Sequence, residues 1–397
     1  MNFAALSRVV GRGRDGDVDP YANLAWLRAH ATVAQVPGPG GRGFTWFVTN
    51  EAEARACLTD ARLSFDPANS AAPRAIPGEP GYVFARDAPE HTRLRALVRS
   101  PFARRAVRAL RPEIEQVCHN LIDAFADRAA VDLLSEYTLP LAESVTYRVF
   151  GLPPDRQLRV GHGTHLTVLA DFLEQSAAGA ATRELHEFAR SALAYKRTAR
   201  GPDVTSALLD SRARGDIVDD AEMEGLFYVV FTTSLLTSAP FIAGAVLRVL
   251  QRPTLVSDLR DGRRQWREVV EESLRYDSTV QTTMPRFALE DLELGGERIA
   301  KGDAVTISLA AANRDPVWIT RADEYLPERA SQAHLAFGDG AHFCLGAHLV
   351  RTEAEIGLRI LFQRIPQLRL AVDAAEIPWV LGPMLRSPRE VPVVVNP

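Results

Sequence analysis

Apolar residues recur at helical spacing along most of this chain and alternate like strands only in short runs. Past Asp19-Pro20-Tyr21 the pattern predicts a helix over residues 22–30. The run Gly43-Phe44-Thr45-Trp46-Phe47-Val48-Thr49, behind the turn-forming Pro37-Gly38-Pro39-Gly40-Gly41, predicts a hairpin and hence a small β region near the start. Residues 50–58 read as a short helix, and residues 64–80, rich in Pro, Ala and Gly, as a loop. Asp87 then caps a helix with Pro89 and Glu90 in its first turn. From 112 to 200 the pattern is helical and loaded with Ala, Leu and Val. Gly201-Pro202-Asp203 interrupts it before Asp219-Asp220-Ala221-Glu222 opens another helix. The body of that helix, EGLFYVVFTTSLLTSAPFIAGAVLRVLQ over 224–251, is apolar all round, a pattern for burial through the middle of a fold. It is long enough for a membrane span, but Arg248 and Pro240 count against that reading. Strand alternation returns over 291–299 and 304–309, and helical spacing resumes over 347–365.

At 397 residues the chain allows two domains or one large core. Hydrophobic residues at 46% and charged ones at 24% give a globular balance, and a net charge of −4 offers no general attraction to nucleic acid. The first residues, MNFAALSRVVGRGRDGD, are too short and too charged for a signal peptide or anchor. Cys57, Cys118 and Cys344 are too few and scattered for a disulfide framework or a zinc cluster, so a reducing cytoplasm fits. His162, His165 and His186 make no metal-ligand pattern with acids. No repeats or low-complexity segments occur.

Chemistry concentrates over residues 334–349, HLAFGDGAHFCLGAHL. Cys344 stands between Gly340 and Gly346, with His342 two residues before it and a helix start after it. Glycines there let the backbone pass close under a flat ligand, and the helix N-terminus favours a thiolate. Earlier, His91 and Arg95 lie four apart on one helical face, suited to a pair of carboxylates. Glu272 and Arg275, three apart, pair on another. Arg99, Arg104, Arg105, Arg108 and Arg111 read either as a solvated face or as a docking patch for an acidic partner. Cys344 and His342 are too close along a tight loop to work as nucleophile and base.

Phe337-Gly338-Asp339-Gly340-Ala341-His342-Phe343-Cys344-Leu345-Gly346 resembles the cysteine-ligand loop of the cytochrome P450 family, in which a thiolate binds haem iron. Five separated motifs in family order, over residues 19–394, carry the resemblance, and the soluble bacterial kind is the nearer match. It implies a mainly α fold with small β-sheets: a single P450 domain over 19–397 behind a tail of residues 1–18. It also implies haem b (iron protoporphyrin IX) ligated by Cys344, with Phe337 and His342 of the loop beside it, and His91, Arg95 and Arg286 toward the propionates. Glu272, Arg275 and Arg329 become a buried structural group. The pocket would be lined by Thr233, Leu236, Thr282, Thr283, Met284, Met384 and Leu385, with a loop within 64–80 crossing it and a lid over 166–176. Electrons would come from NAD(P)H through a ferredoxin and its reductase, to a monomeric, cytoplasmic enzyme.

One position departs from the family. The helix that crosses the oxygen-binding face usually carries Gly, then an acid, then Thr; here Ser234, Leu236 and Thr237 stand in those places. Breaking an O–O bond requires protons, which leucine cannot supply. Thr237 and Ser238 can hold a water, although hydroxyls there also bond the carbonyl one turn back, and Pro240 frees a carbonyl around Leu236. Substrate groups complete the relay, water alone does, or the chemistry bypasses it. An apolar pocket with a few hydroxyls suits a bulky, neutral natural product, aromatic or indole-bearing and peptide-derived, such as a cyclic dipeptide. Hydrogen abstraction with C–C or C–N coupling is the first expectation. Hydroxylation or epoxidation of a polyketide, terpenoid or peptide is the second, followed by aromatic nitration and a silent recruiting module.

Overall fold

In the computed structural model, which describes residues 20–37, 43–71, 82–153, 180–329, 333–381 and 384–396, the alternation after Gly43 becomes the strand Phe44–Val48. The turn expected after Pro37, residues 72–80 of the expected loop, the lid, His162, His165 and the tail lie outside the described residues. Phe44–Val48 pairs antiparallel with Val33–Pro37 and parallel with Ala304–Ile307. Arg286–Ala288 and Leu63–Ser64 complete a five-stranded sheet. Successive side chains point to opposite faces, and both faces are covered. Trp46 and Val48 pack with Ala54, Cys57 and Leu58 of the helix Glu51–Thr59, while Phe47 packs with Tyr21, Leu24 and Leu27 of the helix Pro20–His30. Burying each such side chain contributes about 1.5–3 kcal/mol.

The chain divides into two compact units, and that sheet belongs to the first, built from Met1–Ala75, Gly244–Cys344 and Asp373–Arg389. Here Asn50 caps Glu51–Thr59 by accepting from the Glu53 N–H at 3.1 Å. The alternation expected to run to residue 309 stops at Ile307. Ser308 accepts from the Ala311 N–H and starts the short helix Leu309–Ala312 instead. The alternation over 291–299 is a hairpin of Leu292–Leu294 and Glu297–Ile299, turned at Gly295 and Gly296, both at positive φ.

The second unit comprises Ile76–Ala243, Leu345–Val372 and Glu390–Pro397. Its helix Arg104–Asp123 begins eight residues before the expected start at 112 and runs through Pro112. It lies along Ala347–Arg364, joined by Arg359 to Glu115 at 2.7 Å and Arg364 to Asp123 at 2.6 Å. The stretch expected to be all helix also contains the strand Ala130–Asp132, paired with Pro392–Val394, which in turn pairs with Arg369–Leu370. The helix Asp220–Leu250 continues through Pro240, and 78% of its most apolar window is buried, so the protein interior covers what resembled a membrane span. Leu139–Val149 runs antiparallel to it: Leu139 and Ala142 pack on Ala239, the Tyr147 ring lies 5.6 Å from Phe231, and Phe150 lies 4.9 Å from Phe227.

Within Ala347–Arg364, Glu353 is buried and its Oε1 has no hydrogen-bond partner among the described residues. Burial pushes its carboxyl up to about 8, so the folded state prefers the proton. An acid with a raised folded value contributes stability at low pH and loses it as pH climbs toward that value. Glu353→Gln is therefore expected to raise the thermal midpoint more at pH 8 than at pH 5. Equal gains at both would count against a buried neutral acid.

Candidate active site

In the first unit the cysteine loop is held by its own backbone and by neighbouring side chains. Gly338 and Gly340 sit at φ +68° and +70°, where a side chain is strained, and a Cβ on Gly340 would lie 3.0 Å from the Leu58 carbonyl oxygen. The Cys344 N–H donates to the Phe337 carbonyl at 2.9 Å and the Phe343 N–H to that of Gly340 at 3.1 Å. Asp339 accepts from the Gly340 N–H and, with its other oxygen, from Arg55 at 2.8 Å. Cys57 and Cys118 are core residues whose thiols burial pushes up to about 12, whereas Cys344 is partly exposed. Of the three sulfurs, it is the one placed to reach a ligand. Among the described residues no group of three or more His, Cys, Asp or Glu could hold a metal ion.

Two more of the expected residues meet on one ring. The His342 imidazole stacks on Phe65 at 3.6 Å, and the buried Arg286 guanidinium lies 4.2 Å from the centroid of the same ring while donating to the Cys57 carbonyl. Phe337 instead lies against His334 and Phe343. The segments 282–284 and 384–385 are brought together by backbone pairing, since the Gln281 N–H donates to the Met384 carbonyl at 2.7 Å and Val280 bridges Leu385. Thr283, Met284 and Met384 keep some exposure, whereas Thr282 and Leu385 are closed in.

Behind the loop, Arg275 donates to both oxygens of Glu272 at 2.8 Å, and Arg329 reaches Oε1 at 3.1 Å. Arg275 also donates to the carbonyls of Asn313, Ala322 and Glu324. The Asn313 side chain in turn accepts from the Leu335 N–H at 2.6 Å. The ion pair thus ties the helix Trp266–Asp277 to the segment that leads into the cysteine loop.

In the second unit His91 and Arg95 lie one turn apart on the helix Glu90–Val98. The first turn reaches back to Asp87, whose carbonyl accepts from the His91 N–H at 2.8 Å, and Glu90 pairs with Arg93, which also holds Glu222. Burial, and after it Arg95, pushes the His91 imidazole down, favouring its neutral form. Arg99, Arg105 and Arg108 are exposed, Arg104 donates to His348 at 3.1 Å, and Arg111 lies 3.8 Å from Glu355.

The long helix opens at one place. Between residues 225 and 247 only Thr233, Ser234 and Thr237 escape burial. Their hydroxyls donate back along the helix, to the carbonyls of Val229 at 2.7 Å, Val230 at 2.8 Å and Thr233 at 2.9 Å respectively. Leu236 lies beside this opening and is 1% exposed, Ser238 is 7% exposed, and Pro240 has no N–H to offer the Leu236 carbonyl.

A family model described as Cytochrome P450 matches residues 264–366. The chain is 34% identical over 388 residues to cytochrome P450 monooxygenase PikC of Streptomyces venezuelae, covering 96% of this chain and 92% of that protein. It is 32% identical over 395 residues to the 6-deoxyerythronolide B hydroxylase of Saccharopolyspora erythraea, covering 95% and 96%. The solved structure of CYP154A1 from Streptomyces coelicolor A3(2) superposes with a TM-score of 0.88 at 32% identity, over 96% of this chain and 98% of that one.

Proposed function

The chain belongs to the cytochrome P450 family, and on that premise we propose that it is a monooxygenase that inserts oxygen into a bulky, neutral natural product. The family's cofactor is haem b, which supplies activation of O2 with electrons derived from NAD(P)H. The residues present fit it. Cys344 would hold the iron from a loop kept clear of the core, and Arg286, His342, His91 and Arg95 carry the donors that its two carboxylates need. The Cys344 loop is the observation that carries this reading. Thr237 and Ser238 would hold the water that moves protons.

Two features support the substrate class. The partly exposed residues Thr233, Thr237, Thr283, Met284 and Met384 carry hydroxyl and apolar groups and no charge, and the relatives described above include a 6-deoxyerythronolide B hydroxylase. Oxidative coupling of an aromatic, peptide-derived substrate is a second reading, favoured by the leucine at 236. Product mass separates them when the protein is run against a panel of macrolactones and cyclic dipeptides with ferredoxin, ferredoxin reductase and NADPH. One added oxygen is the expected result; loss of two hydrogens or a dimer would favour coupling. An acidic ferredoxin would dock on Arg99, Arg105 and Arg108, in a cytoplasmic, monomeric enzyme.

A further inference from the structure

We propose that Glu143, on the helix Leu139–Val149, supplies the proton-handling carboxyl that the long helix lacks at Leu236. The inference rests on the monooxygenase reading above, and it begins from direction. Leu139, Ala142, Glu143, Thr146, Tyr147 and Phe150 fall on one stripe of a helix. Four of them, Leu139, Ala142, Tyr147 and Phe150, touch Ala239, Phe231 or Phe227 of the long helix. Glu143 lies inside that stripe and therefore points at the long helix.

Height follows from the same contacts. The two helices are antiparallel, with Leu139 and Ala142 at the level of Ala239 and Tyr147 at the level of Phe231. At about 1.5 Å per residue, Glu143 comes level with residues 235–238, which include the vacated acid position. Ser238 is the group between them. Residues on a helix step by about 100°, which sets Ser238 between Ser234 on the opening and Phe231 and Ala239 on the side facing Glu143.

The carboxyl is suited to the task. Its Oε1 is buried and has no hydrogen-bond partner among the described residues, yet the residue as a whole keeps partial exposure. Between 225 and 247 the long helix carries no charged side chain, and Tyr228 is its one titratable group. On Glu143's own helix Arg148 is held by Glu113, on Arg104–Asp123, at 2.6 Å. Burial alone pushes the acid up to about 7, so it carries a proton near neutrality and can release it. In the step proposed, the carboxyl O–H gives its proton to a water or hydroxyl oxygen at Ser238, which passes one on toward Ser234. Solvent reprotonates Glu143 from its exposed side. One proton moves and no electrons do.

The test uses the holoenzyme with ferredoxin, ferredoxin reductase, NADPH and the panel compound that the unaltered protein oxidises. Glu143→Gln is expected to lower product per NADPH about 10-fold or more and raise peroxide release, with the ferrous–carbon monoxide band intact. In the unaltered protein, coupling should fall as pH rises through about 7, and this dependence should vanish in Glu143→Gln. A separate reading, by infrared in a Glu353→Gln background that removes the other buried neutral acid, is a protonated-carboxyl band present at pH 6, weakened at pH 8, and absent once Glu143→Gln is added. Adding Leu236→Glu to Glu143→Gln should restore coupling. If Glu143→Gln does not hold the pigment, Glu143→Asp decides, with partial coupling expected. Unchanged coupling with an intact band overturns this inference alone. A missing carbon monoxide band in the unaltered protein would overturn the haem reading, and this inference with it.

Discussion

Cys344→Ser is expected to erase the Soret band that the ferrous protein develops with carbon monoxide and to reduce turnover to background, while the thermal midpoint barely moves. Only a thiolate pushes electron density onto haem iron in the way that favours O–O cleavage, and serine's hydroxyl does not ionise at neutral pH. The fold should not suffer, because the bonds that shape the loop are made by backbone: the Cys344 N–H to Phe337 and the Phe343 N–H to Gly340. Cys57→Ser and Cys118→Ser serve as controls. Both thiols are buried, so these variants should lose stability yet keep the band. A serine variant at 344 that retained pigment and spectrum would remove the basis for the haem site.

Breaking the Glu272 group should cost the most stability. Glu272→Ala leaves Arg275 and Arg329 without their shared carboxylate in a site where Glu272 and Arg275 are almost fully closed to water. Removing one partner of such a pair costs about 3–5 kcal/mol, against a total stability of about 5–15 kcal/mol. The expected outcome is a large fall in thermal midpoint together with poor haem retention, since Arg275 also anchors the Asn313 carbonyl and Asn313 positions Leu335 ahead of the loop. Glu272→Met with Arg275→Met should lose less than Glu272→Ala, because Arg329 alone, rather than both arginines, is then left without the carboxylate. If the single and double variants unfold together, the charge pair is not what holds this segment.

Local chemistry was the readable part of both the fold and the site. The three-residue spacing of Glu272 and Arg275 forced them onto one helical face, and the glycines around Cys344 marked a turn that only they adopt without strain. Long-range pairing was not readable. Ala130–Asp132 is three residues long, and its partner Pro392–Val394 lies near the other end of the chain, so no periodicity could announce it. Leu236 was visible as a missing acid. Its replacement on a neighbouring helix depends on how two helices align, and a linear pattern of residues carries no record of that.

At the one gap in the long helix's cover, Thr233, Ser234 and Thr237 have turned their protons inward to carbonyls 2.7–2.9 Å away. Lone pairs are what remain facing out. While those bonds hold, a hydrogen bond made across that gap takes its hydrogen from the visitor. An amide N–H, an alcohol or a water molecule docks there hydrogen-first, and an ether or N-methylated amide of the same shape gains nothing from those three oxygens.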